Sequence, residues 1–369
     1  MHQTYDSQLS FKEKKVYDNL KRIGNLNLDN VKCNTIIGMK EPYRYRNKVI
    51  VPVREENSQV KAGFFARKSH SIVEFDSCFI QFPEADRITA IVKDWINEYS
   101  IKAYNEEKHS GDIRDIMIRK GFSTGEIMVV IIALKESING IEALKEKLLK
   151  INGIKSIVLN INNNRTNVAL GDKTILLWGQ DYIIDKIDQL QFKIGANSFF
   201  QVNPAVTEIL YKKALEFSDI KDGDTVIDAY CGAGTISLFL AAKAKNVKGV
   251  EIVPEAIANA KENAELNKIT NAEFICGKSE EIIPGLVDKG DKIDLVVVDP
   301  PRKGCEKVLL EAIAKAEIRK MVYVSCDSAT LARDLNILES LGYRVLEVQP
   351  VDIFPNTAQV ETVVLITRV

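Results

Sequence analysis

Near the C-terminal end of the chain, Cys326 follows the apolar run Met321–Val324 and is flanked by Ser325 and Asp327. Such a run reads as a buried strand, so the thiol stands where the strand stops, at the edge where α/β sheets take ligands. Free cysteine is also among the most buried residue types, which makes a purely structural thiol the alternative. A second apolar run, Asp294-Leu-Val-Val-Val-Asp299, ends in Asp299-Pro-Pro-Arg302. Its two prolines hold the loop extended and present Asp299 in a fixed direction. Near the end, Glu361 precedes the apolar strand Val363-Val-Leu-Ile366.

A thiol and a carboxylate beside a methyl donor suit alkylation of a pyrimidine at C5. That carbon is a poor nucleophile until a thiolate adds to C6 and turns the ring into an enolate. The C5 proton must then leave before the cysteine can be eliminated. Cys326 is the candidate nucleophile and Glu361 the candidate base. Arg302 is a candidate cation for favouring the thiolate.

The donor site is read from Thr225–Ala229, a short strand, and the turn Tyr230-Cys-Gly232-Ala-Gly234-Thr-Ile-Ser237 that opens a helix. A glycine pair between strand and helix lets backbone approach a ligand closely. Glu251 ends the next strand, Val247–Val250, where an acid accepts hydrogen bonds from ribose hydroxyls. A nucleoside-containing cofactor follows, either a dinucleotide or S-adenosylmethionine. Ser237 in place of a third glycine and the Asp299-Pro-Pro loop both count against a dehydrogenase.

These elements need a scaffold. The 369 residues suggest two or three domains. A helix is expected at Gln8–Ile23, stopping at Gly24. A hairpin follows, Val49–Val53 and Val60–Phe65, turning through Glu55-Glu-Asn-Ser58. Helices at Ala85–Tyr99 and Ile141–Ile151 alternate with strands at Ile113–Arg119, Ile127–Leu134, Ser156–Ile161 and Thr174–Leu177, a mixed α+β unit. The stretch Lys40–His70 carries Lys40, Arg44, Arg46, Lys48, Arg54, Lys61, Arg67 and Lys68 against Glu41, Glu55 and Glu56, with Tyr43, Tyr45, Phe64 and Phe65 interspersed. That composition suits phosphates and unstacked bases, or an ordinary solvated sheet face. Net charge is −1, so RNA affinity requires a local patch of this kind. No apolar run approaches the roughly 18 residues of a membrane helix, and no signal peptide is seen. Six scattered cysteines fit a reducing cytoplasm, and three scattered histidines give no support to a histidine metal site.

Taken in order, Tyr45–Lys48, Phe200-Gln-Val-Asn-Pro204, Asp228-Ala-Tyr-Cys-Gly-Ala-Gly234, Asp299-Pro-Pro-Arg302, Ser325-Cys326-Asp327 and Val360-Glu361-Thr362 resemble the RNA uracil-C5 methyltransferases. The bacterial 23S rRNA branch is the most similar. The resemblance implies S-adenosylmethionine as donor, lined by Gln201, Tyr230, Glu251 and Asp299, with Cys326 as nucleophile and Glu361 as base. It implies a Rossmann-like methyltransferase domain (191–369), preceded by a smaller mixed α+β RNA-contacting domain (36–190). An N-terminal segment (1–35) would supply a helix that packs on the catalytic domain. The implied activity is formation of 5-methyluridine in 23S rRNA by a cytoplasmic monomer. A tRNA uridine methyltransferase and a non-catalytic RNA-binding protein are the alternatives. Longer members carry an N-terminal β-barrel module and a cysteine-rich segment that, with a cysteine matching Cys78, holds an iron–sulfur cluster. This chain is expected to lack both, leaving Cys78 without partners and no metal site. Two positions depart from the family pattern. Lys278 replaces an acid on the adenine side, and Gln359 stands where a histidine often precedes the Val-Glu pair.

Overall fold

The computed structural model describes residues 3–56 and 59–369. Two compact units form: Met1–Pro42 with Ile187–Phe192 and Ala205–Val369, and Tyr43–Lys186 with Lys193–Pro204. Residues 193–204, including Gln201, thus group with the central unit, and the chain crosses between units at 42/43, 186/187, 192/193 and 204/205.

The first unit begins with α1 (Tyr5–Arg22) and β1 (Lys32–Cys33). The second contributes β2 (Lys48–Glu56), β3 (Gln59–Phe65), β4 (Ile72–Glu74), α2 (Pro83–Glu98), β5 (Ile113–Lys120), β6 (Ile127–Ala133), α3 (Ile141–Leu148), β7 (Ile154–Ile161) and β8 (Lys173–Gly179). A hairpin, β9 (Tyr182–Ile187) and β10 (Leu190–Gly195), follows. Then come α4 (Pro204–Ser218), β11 (Thr225–Ala229), α5 (Thr235–Ala241), β12 (Asn246–Glu251), α6 (Pro254–Leu266), β13 (Ala272–Cys276) and α7 (Ser279–Asp288). The chain ends with β14 (Leu295–Val298), α8 (Lys307–Lys315), β15 (Lys320–Ser325), α9 (Ser328–Ser340), β16 (Tyr343–Val351) and β17 (Glu361–Arg368).

In the first unit an eight-stranded sheet runs β1-β16-β17-β15-β14-β11-β12-β13. Only β17 is antiparallel to its neighbours. Residues of β14 are buried throughout, as a central strand covered on both faces demands. From β11 the chain moves outward through β12 and β13, then returns to β14 on the other side. This reversal opens a crevice at the carboxyl ends of β11 and β14. Val16 and Leu20 of α1 share the core with Leu331 and Leu335 of α9, so α1 belongs to this unit despite the intervening sequence.

The second unit is a seven-stranded sheet, β4-β3-β2-β5-β6-β7-β8, antiparallel except for β6–β7, which the α3 crossover joins in parallel. Val92, Trp95 and Ile96 of α2 and Leu144 and Leu148 of α3 cover one face. The tip of the expected β2–β3 turn, Asn57-Ser58, lies outside the described residues. Among the described residues no helix is long and apolar enough to cross a membrane.

Candidate active site

Strand register brings the proposed nucleophile and base together. Residues of β15 pair with β17 from Lys320 with Thr367 to Ser325 with Thr362, so the next step of the ladder sets Cys326 beside Glu361. Asp299 follows β14, whose Val298 pairs with Tyr323 of β15. Burial pushes the Glu361 carboxyl up to about 8, with Asp299 adding to the shift and Arg302 opposing it. Burial, Glu361 and Asp299 together push the Cys326 thiol up to about 12, and Arg302 only partly offsets them. Arg302 is therefore the expected cationic neighbour, but it is exposed and outweighed. In the free protein Cys326 is a thiol.

The residues beside Cys326 shape its loop. Asp327 caps α9, accepting from the backbone N–H groups of Ala329 (2.9 Å) and Thr330 (3.2 Å). Ser325 Oγ donates to the Asp327 carbonyl (3.0 Å) and accepts from its N–H (3.2 Å). The same helix holds the loop after Asp299. Thr330 Oγ1 donates to the Arg302 carbonyl (3.1 Å), and Arg333 donates to the Lys303 carbonyl (2.8 Å). Fully buried Asp334 accepts from the Cys305 N–H (2.8 Å) and the Tyr323 hydroxyl (2.7 Å). Gly304, at φ +79°, leaves Asp334 its space, since a Cβ there would lie 2.5 Å from Oδ2. Asp334 escaped the sequence reading because nothing local marks a helix-interior aspartate that serves a distant loop.

At the crevice, Tyr230 and Gly232 and Gly234 all adopt positive φ (65°, 54° and 79°), a conformation costly for Tyr230. A Cβ at Gly234 would strike the Phe274 ring at 2.9 Å, whereas one at Gly232 would meet nothing within 4 Å. Gly234 is needed for packing, and Gly232 leaves open backbone for a ligand. Glu251 accepts from the N–H groups of Gly232 (3.3 Å) and Val253 (3.0 Å), which fixes its carboxylate at the end of β12. Asp228, which opens the Asp228–Gly234 motif but was given no role of its own, is fully buried; it accepts from Ser237 Oγ (2.5 Å), while its Oδ1 has no partner. Ser237, standing in a glycine's place, thus orients an acid. Burial pushes Asp228 up to about 7, with Asp299 and Glu251 contributing, and burial alone pushes Asp299 up to about 7. Carboxylates that resist ionisation want a cation.

The other expected donor-site residue, Gln201, falls in the second unit, where its carbonyl accepts from Asn47 Nδ2 (3.0 Å). Lys278 is exposed and pairs with Glu281 (3.2 Å). Gln359 donates its backbone N–H to Thr357 Oγ1 (3.2 Å). Cys231 and Cys305 are buried with their thiols pushed well up, whereas Cys326 is half-buried. Cys78 donates its N–H to Asp86 (3.3 Å) and accepts from Arg44 through its carbonyl (2.6 Å).

The basic stretch divides on inspection. Arg44 pairs with Asp86, Arg54 with Glu106 and Asp115, and Lys61 with Glu56. Tyr45 is core and Phe64 stacks on Phe75, leaving Tyr43 and Phe65 exposed. Arg46 and Lys48 meet no carboxylate among the described residues. Lys48 lies directly across the β2–β5 ladder from buried Arg119, whose Nε has no partner. Burial, Arg119 and Arg46 together push Lys48 down to about 8. Arg119 nonetheless donates to the carbonyls of Ala196 (3.1 Å) and Ser198 (2.6 Å), so Arg46 and Lys48 are the two cations of the group left without a partner of opposite charge among the described residues, and like charges facing across a ladder disfavour it.

The profile of the tRNA (uracil-5-)-methyltransferase family matches residues 4–369. A protein from Clostridium tetani described as an uncharacterized RNA methyltransferase is 53% identical over 367 residues, covering 99% of this chain and 79% of its own length. One of the same description from Clostridium acetobutylicum is 54% identical over 369 residues, covering 100% and 80%. Among solved structures, the tRNA (uracil-54, C5)-methyltransferase of Pyrococcus abyssi, in complex with S-adenosyl-L-homocysteine, superposes with TM-score 0.81 at 29% identity, over 99% of this chain and 84% of that one. With the methyltransferase-type sheet, the crevice and the motif order already in place, the chain belongs to the RNA uracil-C5 methyltransferase family.

Proposed function

We propose that this protein methylates C5 of a uracil in RNA from S-adenosylmethionine through a covalent Cys326–C6 bond, and that 23S rRNA carries the target. One observation carries the reading: the β15–β17 ladder runs out with Cys326 and Glu361 at its end, at the mouth of the crevice that Asp299 borders. The crevice fits the donor. Open backbone at Gly232 accommodates close approach, Glu251 suits ribose hydroxyls, and the orphan Oδ1 of Asp228 suits an ammonium group. Tyr230 and Asp299 complete the contacts proposed within this unit, and Gln201 is a donor contact on the family resemblance alone. When bound, S-adenosylmethionine supplies an electrophilic methyl group on a cationic sulfur.

The chain's own residues do the rest. Cys326 is held as a thiol by burial and by the charges of Glu361 and Asp299; with those charges offset by a bound cation, the half-buried thiol would give its proton to solvent and become the thiolate. The thiolate adds to C6, and C5 of the resulting enolate would take the methyl group as the methyl–sulfur bond breaks, its electron pair staying on the donor's sulfur. Glu361, as carboxylate, then removes the C5 proton, and the returning electron pair expels Cys326 from C6. RNA phosphates are the anion for Arg46 and Lys48, and the target base leaves its stack to reach the strand ends.

In the test, rRNA and tRNA transcripts are incubated with the protein and labelled donor. Cys326→Ala should abolish transfer and adduct. Glu361→Gln should slow turnover by about 10²- to 10⁴-fold and accumulate a denaturant-stable protein–RNA adduct. Methylation by Cys326→Ala sinks the mechanism. A tRNA uridine is the second reading, favoured by the likeness to the archaeal tRNA enzyme. Mapping 5-methyluridine in both RNAs, with and without the protein, separates the two.

A further inference from the structure

Glu361 is delivered by an irregular segment, residues 352–360, that links β16 to β17. Side chains of α1 hold it from a sequence distance of some 340 residues. Lys12 Nζ donates to Asp352 Oδ1 (2.6 Å) and to the Phe354 carbonyl (2.9 Å), and both charged side chains are essentially unexposed, at 1% and 0%. Tyr5 donates its hydroxyl to Asp352 Oδ2 (3.0 Å). Gln8 and Asn356 bond reciprocally: Gln8 Nε2 donates to Asn356 Oδ1 (3.2 Å), and the Asn356 N–H donates to Gln8 Oε1 (3.0 Å). Lys15 donates to the Ala358 carbonyl (3.1 Å). Asn356 itself sits at φ +65°, a conformation that persists where the surroundings impose it. Toward its other end α1 reaches the nucleophile's side, Asn19 Nδ2 donating to Ser328 Oγ (2.8 Å) at the start of α9.

A buried ion pair contributes little stability over an apolar pair of the same shape, so stability alone does not account for Lys12 and Asp352. Fixing a direction does. We propose that α1 is a bracket for the reaction, with Lys12, Gln8 and Asp352 acting as positioning residues that aim Glu361 at the C5 proton. This rests on the mechanism proposed above. Misplacement of a reacting group by about 1 Å costs on the order of 10²-fold, whereas RNA binding is left untouched.

The test uses the full chain with Gln8→Ala, Lys12→Met and Lys12→Arg, following turnover, KM for RNA and the denaturant-stable adduct. Gln8→Ala, which removes both amide bonds without altering the segment's backbone, should lower kcat about tenfold or more with KM unchanged within about twofold. The adduct should accumulate as it does in Glu361→Gln, because only the late proton removal is impaired. Lys12→Met should act in the same direction more strongly, and Lys12→Arg should recover part of the loss. Turnover at the wild-type rate in Gln8→Ala, or adduct and turnover falling in proportion, overturns the proposal. Should Lys12→Met fail to fold, Gln8→Ala decides alone. If Glu361→Gln itself accumulates no adduct, the underlying mechanism has failed; if it does and Gln8→Ala does not, only the bracket has failed.

Discussion

The two sheets carry opposite unpaired charge. At the carboxyl ends of β11, β12, β14 and β15, Asp228, Glu251 and Asp299 gather with Glu361, and exposed Arg302 acts on Glu361 and on Cys326. In the other unit Arg46, just ahead of β2, and Lys48 of β2 lie by Arg119 of β5 without an acid among the described residues, Arg119 being held by the carbonyls of Ala196 and Ser198. Elsewhere the chain pairs its charges readily, as Arg44–Asp86 and Arg54–Glu106 show a few residues away. Unpaired charge kept at two places and neutralised at others is what the proposed function asks for, one place for a cationic donor and one for a polyanion.

Breaking the cationic side should have the largest effect. With Arg46→Glu and Lys48→Glu together, RNA affinity at low salt is expected to fall about 10²-fold, and the slope of log K against log salt should flatten by about two. Filter binding over a salt series measures both. An unchanged slope would make these cations part of an ordinary sheet face.

The anionic side is tested by Asp228→Asn, which keeps the Ser237 contact but removes the charge from the orphan oxygen. Calorimetric titration of S-adenosylmethionine should show affinity weakened about tenfold, the size expected for one charge-assisted hydrogen bond. Unaltered affinity would leave Asp228 a structural acid whose burial has another cause.

How far the sequence carried this picture depended on whether the signal was local. The nucleophile's strand, the glycine turn, Glu251 and the Asp299-Pro-Pro loop are each written in a few adjacent residues, and α1, α2, α3, α5 and most central strands follow from apolar patterning, whereas α4 and α6 to α9 were not named. The edge strand β13 was not foreseen: Ala272–Cys276 alternates partly exposed positions with one buried Phe274 and gives no sustained run. The β9–β10 hairpin was missed for a similar reason, lying in the stretch read as a domain boundary. Charge was legible only as composition. Nothing in Arg44-Tyr-Arg46-Asn-Lys48 says which arginine meets Asp86 and which is left without an acid, since the answer depends on residues dozens of positions away. The same holds for Lys12 with Asp352 and for Asp334 with the 299–305 loop, whose partners meet only in the folded chain.

The smallest effect expected is on stability, and its sign is diagnostic. Burial raises Glu361 to about 8 and Asp228 and Asp299 to about 7, above the ordinary carboxyl range near 4. Between those values the folded protein holds protons that the unfolded chain has released, so stability is full below about pH 4 and declines as pH rises toward about 8. Each tenfold difference in proton affinity between the folded and unfolded chain is worth at most about 1.4 kcal/mol, and coupling among the carboxylates reduces the sum. Thermal unfolding of the free protein should therefore show Tm falling by several degrees between about pH 5 and about pH 8.5, by about 2–4 °C per kcal/mol. Glu361→Gln, which cannot ionise, should flatten that decline and exceed the wild type in Tm at the alkaline end while matching it at the acid end. S-adenosylmethionine should restore more Tm at the alkaline end than at the acid end, because its positive charge finds more ionised carboxylates to meet. A Tm that instead rises with pH would mean these acids are ionised and satisfied in the free protein, and the asymmetry between the two sheets would lose its anionic half.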